Sequence, residues 1–439
     1  MTALLKRMEQ FLIRNDRDLG NLMFYVALAM FIPLLIFGQS FLIHGVGGNH
    51  ILMVINISMA LLIFKELLMR QLDWRSLGGL LAIMVMSELF WHADERWSIP
   101  VLIFLFSART VSWKVAGRVA AAAATLSTAL VILSALIGWT PNYCLPIGGR
   151  DRWTLGFNYV LVAPTIFLGV TMVWICLKKN RISWWELLSL TVLNVALFAA
   201  TKSRLPFFIV MLALLSAVVL KIWPDLLKNH RWIKWILIWS FVAFALFSII
   251  ASVGYLHNAG WAVALNSHLD HRIMLAARAL KKAGFTLLGY DYHMVGNGIN
   301  YEGVADAVTE GKYTYIDNLY MQTLVRRGML FLVLFLAATT WLMRKLMGRE
   351  PQGYFIIMLS LLALQAVIQD NFFQLCYNPL LLLYGMVLMR GPEEDEWESP
   401  MLERLRARRR GGTGGPGNVV PAADGAGTPE PDADDRFVI

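Results

Sequence analysis

Residues 184–222 read WWELLSLTVLNVALFAATKSRLPFFIVMLALLSAVVLKI. Two apolar runs, 184–200 and 205–222, flank Thr201-Lys202-Ser203-Arg204. Each run has the length of the roughly 17–25 apolar residues that cross a bilayer as a helix. The short connection leaves room only for a tight reversal at a membrane surface. Inside hydrocarbon the backbone must satisfy its own polar groups, so the stretch reads as a helical hairpin across a membrane. Similar runs recur near 22–43, 51–68, 76–91, 98–109, 115–138, 155–177, 233–254, 328–347, 353–369 and 375–390, with 98–109 short enough to be re-entrant.

The composition of the whole chain agrees. Its 439 residues are 57% hydrophobic and 16% charged, against roughly 25% charged in ordinary soluble chains. That excludes a soluble globular enzyme and a disordered protein. A net charge of +9 suggests nucleic acid only until the cations are placed along the chain. With the N-terminus in the cytoplasm, most of the 39 Lys and Arg fall on the cytoplasmic side, the distribution that orients membrane proteins. No nucleic-acid-binding signature accompanies them. The expected fold class is all-α: a polytopic integral membrane protein of about 12 transmembrane helices, both termini cytoplasmic, with one large outer loop, 255–327, between spans 9 and 10.

Three segments follow from this reading. Residues 1–21 form a cytoplasmic N-terminal segment in which 3–17 make an amphipathic interfacial helix. Residues 22–390 form the transmembrane unit, and 391–439, with an Arg cluster followed by Gly, Pro and Ala, form a disordered cytoplasmic tail facing membrane lipids. Cys144, Cys176 and Cys376 are too few and too scattered for a disulfide framework or a Cys-rich metal site.

The informative cations are those on the outer side, where topology selects against them. One group is Arg150-Asp151-Arg152 before the sixth span, and another is Lys202 and Arg204 in the short connection of the hairpin. Arg204 has two readings: it snorkels or pairs with Asp151, or it helps to bind an anion, since guanidinium forks match phosphate oxygens. In the outer loop, 267–283 read as an amphipathic helix carrying Arg272, and a stretch rich in Gly, Asn and Tyr follows His293. Next, Asp317-Asn318-Leu319-Tyr320 leads into the tenth span, with Asp317, Tyr320 and Leu324 on one helical face. Asp317 serves there either as a helix N-cap or as a proton acceptor. His268 and His271 lack the accompanying residues of a zinc motif. The first outer connection, Gly45 to His50, contains no Asp-x-Asp. Neither a metal nor another cofactor is expected.

Four motifs occur in order and all on the outer side: Arg152-Trp153-Thr154-Leu155-Gly156-Phe157, Thr201-Lys202-Ser203-Arg204, Arg272 followed by Leu288-Gly289, and Asp317-Asn318-Leu319-Tyr320 with Leu324 and Gly328. Over roughly residues 20–390 the chain resembles the O-antigen polymerase and ligase superfamily, bacterial inner-membrane transferases of the Wzy and WaaL type. The resemblance implies a membrane glycosyltransferase that uses polyprenyl (undecaprenyl) diphosphate-linked glycan donors and acceptors, with its active site on the outer face. It further implies that Arg152, Arg204 and Arg272 hold the donor diphosphate; Arg150, Lys202, Asn318 and Tyr320, their neighbours in these motifs, are candidate supporting residues. Asp317, or secondarily His293, would accept the acceptor's proton. Many relatives, the ligases above all, carry His where this chain has Asp317. That departure favours a repeat-unit polymerase of O-antigen, capsule or exopolysaccharide, working with a chain-length regulator. A ligase acting on lipid A core and a flippase for lipid-linked glycans are the competing readings.

Overall fold

A computed structural model describes residues 16–390 except 46–47, 70–72, 94, 96–97, 148 and 351. The tail expected at 391–439 and nearly all of the N-terminal amphipathic segment lie outside them. Helices of eight or more residues run in the order α1 (Asp16–Phe37), α2 (Gly48–Met69), α3 (Trp74–His92), α4 (Ile99–Ser107), α5 (Trp113–Leu136), α6 (Val162–Lys178), α7 (Trp184–Thr201) and α8 (Arg204–Ile222). They continue with α9 (Arg231–Ile238), α10 (Ser240–Leu256), α11 (Gly260–His268), α12 (Arg272–Ala283), α13 (Gly328–Arg349) and α14 (Tyr354–Gln365).

Among the described residues, seven helices are long and apolar enough to cross a membrane, or eight if α9 and α10, bent by 54° at their junction, count as one span. The protein is a mainly helical, multi-pass membrane protein. The other apolar runs form α3, the shorter α4 and α14, and the segment Pro379–Met389. That last segment consists largely of 3-10 and π turns and opens on Pro379, a residue suited to the first helical position.

Packing follows residue size. The buried face of α5 carries Ala116, Gly117, Ala120, Ala121 and Ala124, which lets α1 and α6 approach closely. In contrast, α7 leaves Leu188, Val192, Leu193 and Val195 exposed, an apolar face suited to lipid rather than water. At the bundle end away from the long loop, Arg109 pairs with Glu66 at 2.6 Å and Lys65 Nζ donates to the Ser107 carbonyl at 2.7 Å. These buried charges are compensated locally, as burial requires.

Two sequence expectations need correction. The span expected from residue 155 starts at Val162, because Leu155 and Gly156 both have positive φ and turn the chain. Before that turn lies an antiparallel hairpin, β1 (Cys144–Ile147) and β2 (Arg150–Trp153), pairing Leu145 with Arg152, so the fold is not purely helical. The single amphipathic helix expected at 267–283 is also two helices, α11 and α12. Asp270 and His271, at φ 49° and 62°, break it.

The long loop is tied back to the bundle by main-chain bonds. Residues Thr323–Arg327 form a π turn just before α13, and the first turn of a helix leaves N–H groups without intrahelical partners. The segment 286–290 takes them up: Tyr290 N–H donates to the Val325 carbonyl, and Met329 and Leu330 N–H groups donate to the carbonyls of Thr286 and Leu287. Gly289 (φ 95°) and Gly328 (φ 88°) permit this approach, since a Cβ on either would collide with the opposing backbone.

Candidate functional site

The hairpin packs on the C-terminal end of α7 and carries two of the expected arginines. Arg152, only 8% exposed, donates from Nε to the Thr201 carbonyl at 2.9 Å and from Nη2 to Ser203 Oγ at 3.0 Å. Helix ends leave carbonyls without intrahelical partners and carry partial negative charge, so Arg152 is in part a strut. Arg150 Nη1 reaches the Lys202 carbonyl at 3.4 Å, and Lys202 ends α7 in the left-handed conformation. Arg204, the first residue of α8, is exposed and makes no ion pair with Asp151 or with any other described residue.

Arg272 opens α12, whose apolar side is buried through Ile273, Ala276, Ala277 and Leu280. Its Nη1 donates to the Ile368 carbonyl, and its Nη2 stands 4.0 Å from Asp317 Oδ2. Arg152 feels this second guanidinium directly. Burial lowers its affinity for a proton below the ordinary arginine value, and the like charges of Arg150 and Arg272 add to that effect. The corner thus brings the guanidinium groups of Arg150 and Arg272 within electrostatic reach of Arg152, with Asp317 4.0 Å from Arg272 and the charge of Asp270 also acting on Arg152.

Beside this corner is a polar cavity of about 300 Å³. Asp317 and Asp370 face it, together with Tyr159, Tyr313, Tyr315 and the amides of Gln39, Asn158, Gln369 and Gln374. Asp317 is 23% exposed and accepts a 2.9 Å hydrogen bond from the Tyr313 hydroxyl. Asp370 Oδ2 accepts from the Tyr315 hydroxyl and from Gln322 Nε2, each at 2.7 Å. Burial raises both carboxyls above the usual carboxylate range. For Asp317 the charge of Arg272 and the Tyr313 bond oppose that rise; for Asp370 the negative charge of Asp317 increases it. Burial also holds the Tyr313 phenol well above its ordinary value, with the neighbouring Asp317 adding to the shift, so Tyr313 donates as a neutral hydroxyl. A pair of neighbouring carboxyls with raised proton affinities is a candidate for proton transfer.

The other expected residues separate from this cluster. Asn318, not Asp317, caps the following helix: its Oδ1 accepts from Met321 N–H at 3.0 Å, and its Nδ2 donates to Ser248 Oγ and the Val367 carbonyl. Tyr320 is fully buried and donates to the Ala363 carbonyl at 2.8 Å, so it packs in the core instead of sharing the cavity with Asp317. His293 is 71% exposed and sits 3.3 Å from Glu310, outside the cavity lining.

Asp370 was not anticipated from the sequence. Its signal was present in Gln369-Asp370-Asn371, a polar interruption between two apolar runs on the side assigned to the long loop. The tyrosines at 313 and 315 stood in a stretch whose polar and aromatic residues suit any surface loop. Neither a family model, nor a curated protein, nor a solved structure matches the chain.

Proposed function

We propose that the protein is a membrane glycosyltransferase that elongates a surface polysaccharide. It takes a glycan from a polyprenyl diphosphate carrier and joins it to a sugar hydroxyl of an acceptor on the outer face of a bacterial plasma membrane. In this reading the chain crosses twelve times, α3, α4, α14 and the 375–390 segment completing the set, with both termini cytoplasmic. The observation that carries it is the position of Arg272, between an under-neutralised cluster of cations and a polar cavity containing Asp317.

The donor diphosphate lies against Arg272 and Arg204, with the hairpin arginines behind them. The acceptor sugar occupies the cavity, whose amides, carboxylates and phenols offer the donors and acceptors that a ring of hydroxyls needs. Asp317 takes the proton of the attacking hydroxyl. The new bond forms at the anomeric carbon as its bond to the phosphate oxygen breaks on the opposite face, which inverts that centre. Polyprenyl diphosphate leaves carrying the developing charge, and preorganised guanidinium groups stabilise it without a metal.

The assay is transfer by the purified protein in liposomes, using a polyprenyl diphosphate oligosaccharide as donor. Activity is expected to survive chelation by EDTA. Asp317→Asn is expected to lose about 10²–10⁴-fold in rate, the usual contribution of a positioned general base; full activity of this variant would remove Asp317 as the base.

A pH profile tests the carboxyl pair. Since burial raises Asp317, activity is expected to fall with acidification at a pH above the ordinary carboxylate range. The negative charge of Asp317 raises Asp370, so Asp370 is still protonated when Asp317 ionises, and Asp370→Asn is expected to leave the acid limb in place. A limb that moves to lower pH in Asp370→Asn would show that Asp370 ionises first.

A further inference from the structure

The largest cavity described is unrelated to the acidic one. It is an apolar groove of about 890 Å³ between α3, α4, α13 and the segment 373–389, and none of its lining residues lines the cavity of Asp317. From α3 it takes Arg75, Gly79, Ala82, Ile83, Met86 and Phe90, a stripe at helical spacing about 22 Å long at 1.5 Å per residue. The groove therefore runs along the helix axis, with Gly79 against Met389 near one end.

Its two ends differ in charge. At the Phe90 end the rings of Phe90, Phe331 and Phe373 surround the Arg327 guanidinium at 4.8–5.3 Å. That cation is already satisfied, because Arg326 and Arg327 both pair with Glu95. At the other end Arg75 is exposed and makes no ion pair or hydrogen bond with a described residue. The nearby Asp73 is engaged in capping α3, accepting from Ser76 N–H at 2.8 Å. Trp74 and Trp341, 89% and 52% exposed, flank this end as aromatic residues do at a membrane surface.

We propose that the groove is a binding site for one anionic phospholipid, with an acyl chain along α3 and its phosphate on Arg75. The occupant has an apolar chain that follows the groove along α3 and a single negative group at the end away from the long loop, the cytoplasmic end in the topology proposed above, where anionic lipids concentrate. A polyprenyl diphosphate carrier fits less well. Its diphosphate belongs at the opposite end in the reading above, where Phe90, Phe331 and Phe373 meet edge to face around Arg327 and that guanidinium already pairs with Glu95. The site stands whether or not the transferase reading holds.

The test is native mass spectrometry of the detergent-solubilised, delipidated protein after addition of phosphatidylglycerol or phosphatidylcholine. One phosphatidylglycerol per chain is expected to be retained in preference to phosphatidylcholine. Arg75→Gln is expected to cut that preference about tenfold, the loss of one charge-assisted hydrogen bond. Ala82→Trp and Ala337→Trp fill the groove from facing helices and are expected to abolish retention, with size-exclusion profiles reporting folding. Leu52→Trp, on the lipid-facing side of α2, is expected to leave retention unchanged. Equal retention by both groove-filling variants, equal affinity for the neutral lipid, or selective retention of a polyprenyl phosphate would each overturn the proposal.

Discussion

Arg272→Ala is expected to lower glycan transfer by about two to three orders of magnitude, the cost of removing one preorganised donor from a developing oxyanion, while the protein still inserts and folds. Among the described residues the hydrogen-bond and ion-pair partners of Arg272 are the Ile368 carbonyl and Asp317, and the apolar face of α12 that anchors the helix lies on other residues. Removing the guanidinium also withdraws the charge that opposes protonation of Asp317, so residual activity is expected to require a higher pH. Arg272→Lys keeps the charge but loses the planar fork, and is expected to recover only part of the rate. The measurement is initial rate in proteoliposomes, together with polymer length in a deletion strain carrying each variant. Normal-length polysaccharide from Arg272→Ala cells would end the diphosphate assignment.

The three arginines should not behave alike. Arg204 has no protein partner among the described residues, so its loss is expected to affect transfer without affecting thermal stability. Arg152 holds the end of α7 and is buried; its removal leaves the Thr201 carbonyl only the longer bond from the Ser203 hydroxyl and is expected to lower both.

Gly289→Val is expected to prevent accumulation of folded protein, a destabilisation of about 4 kcal/mol or more, in the exceptional range for one substitution. A side chain at 289 meets the Arg326 carbonyl and the Arg327 amide, and the residue sits at φ 95°. Relief would require lifting the 286–290 segment from α13, which would break the three main-chain bonds that fasten it. Gly311→Ala provides the contrast: φ is 63° but a Cβ meets nothing within 4 Å, so only the left-handed penalty of about 1–2 kcal/mol is expected. Yield of monodisperse protein and its thermal midpoint in detergent distinguish the two.

The membrane-spanning character was legible because apolar run length is a local property: 184–222 becomes two helices with bounds close to those read from sequence. What escaped was decided by contacts far apart in the chain. Nothing local in Asp317 announces that Asn318 will take the capping role, or that Tyr313 will occupy its carboxylate. Tyr320 shares a helical face with Asp317 in projection, yet the π turn and the packing of α14 direct its hydroxyl to Ala363. Asp370 joins the cavity only because the end of α14 returns beside Asp317 and Tyr315, a proximity without a sequence period. The β-hairpin lay in the connection before the span expected from 155, where four-residue strands are too short to show an alternating pattern, and the span boundary itself was set too early because hydropathy outweighed the turn residues at 155–156.

The attachment of 286–290 to α13 also determines where the long loop can tolerate added length. Extra residues between Leu287 and Tyr290 would break the register of bonds against the π turn. The tip around Glu310 to Lys312 is exposed, and added chain there would extend into solvent. An epitope or fluorophore tag spliced after Gly311 should therefore report which side of the membrane the loop occupies in intact cells. The same tag at Leu288 should yield no folded protein to label.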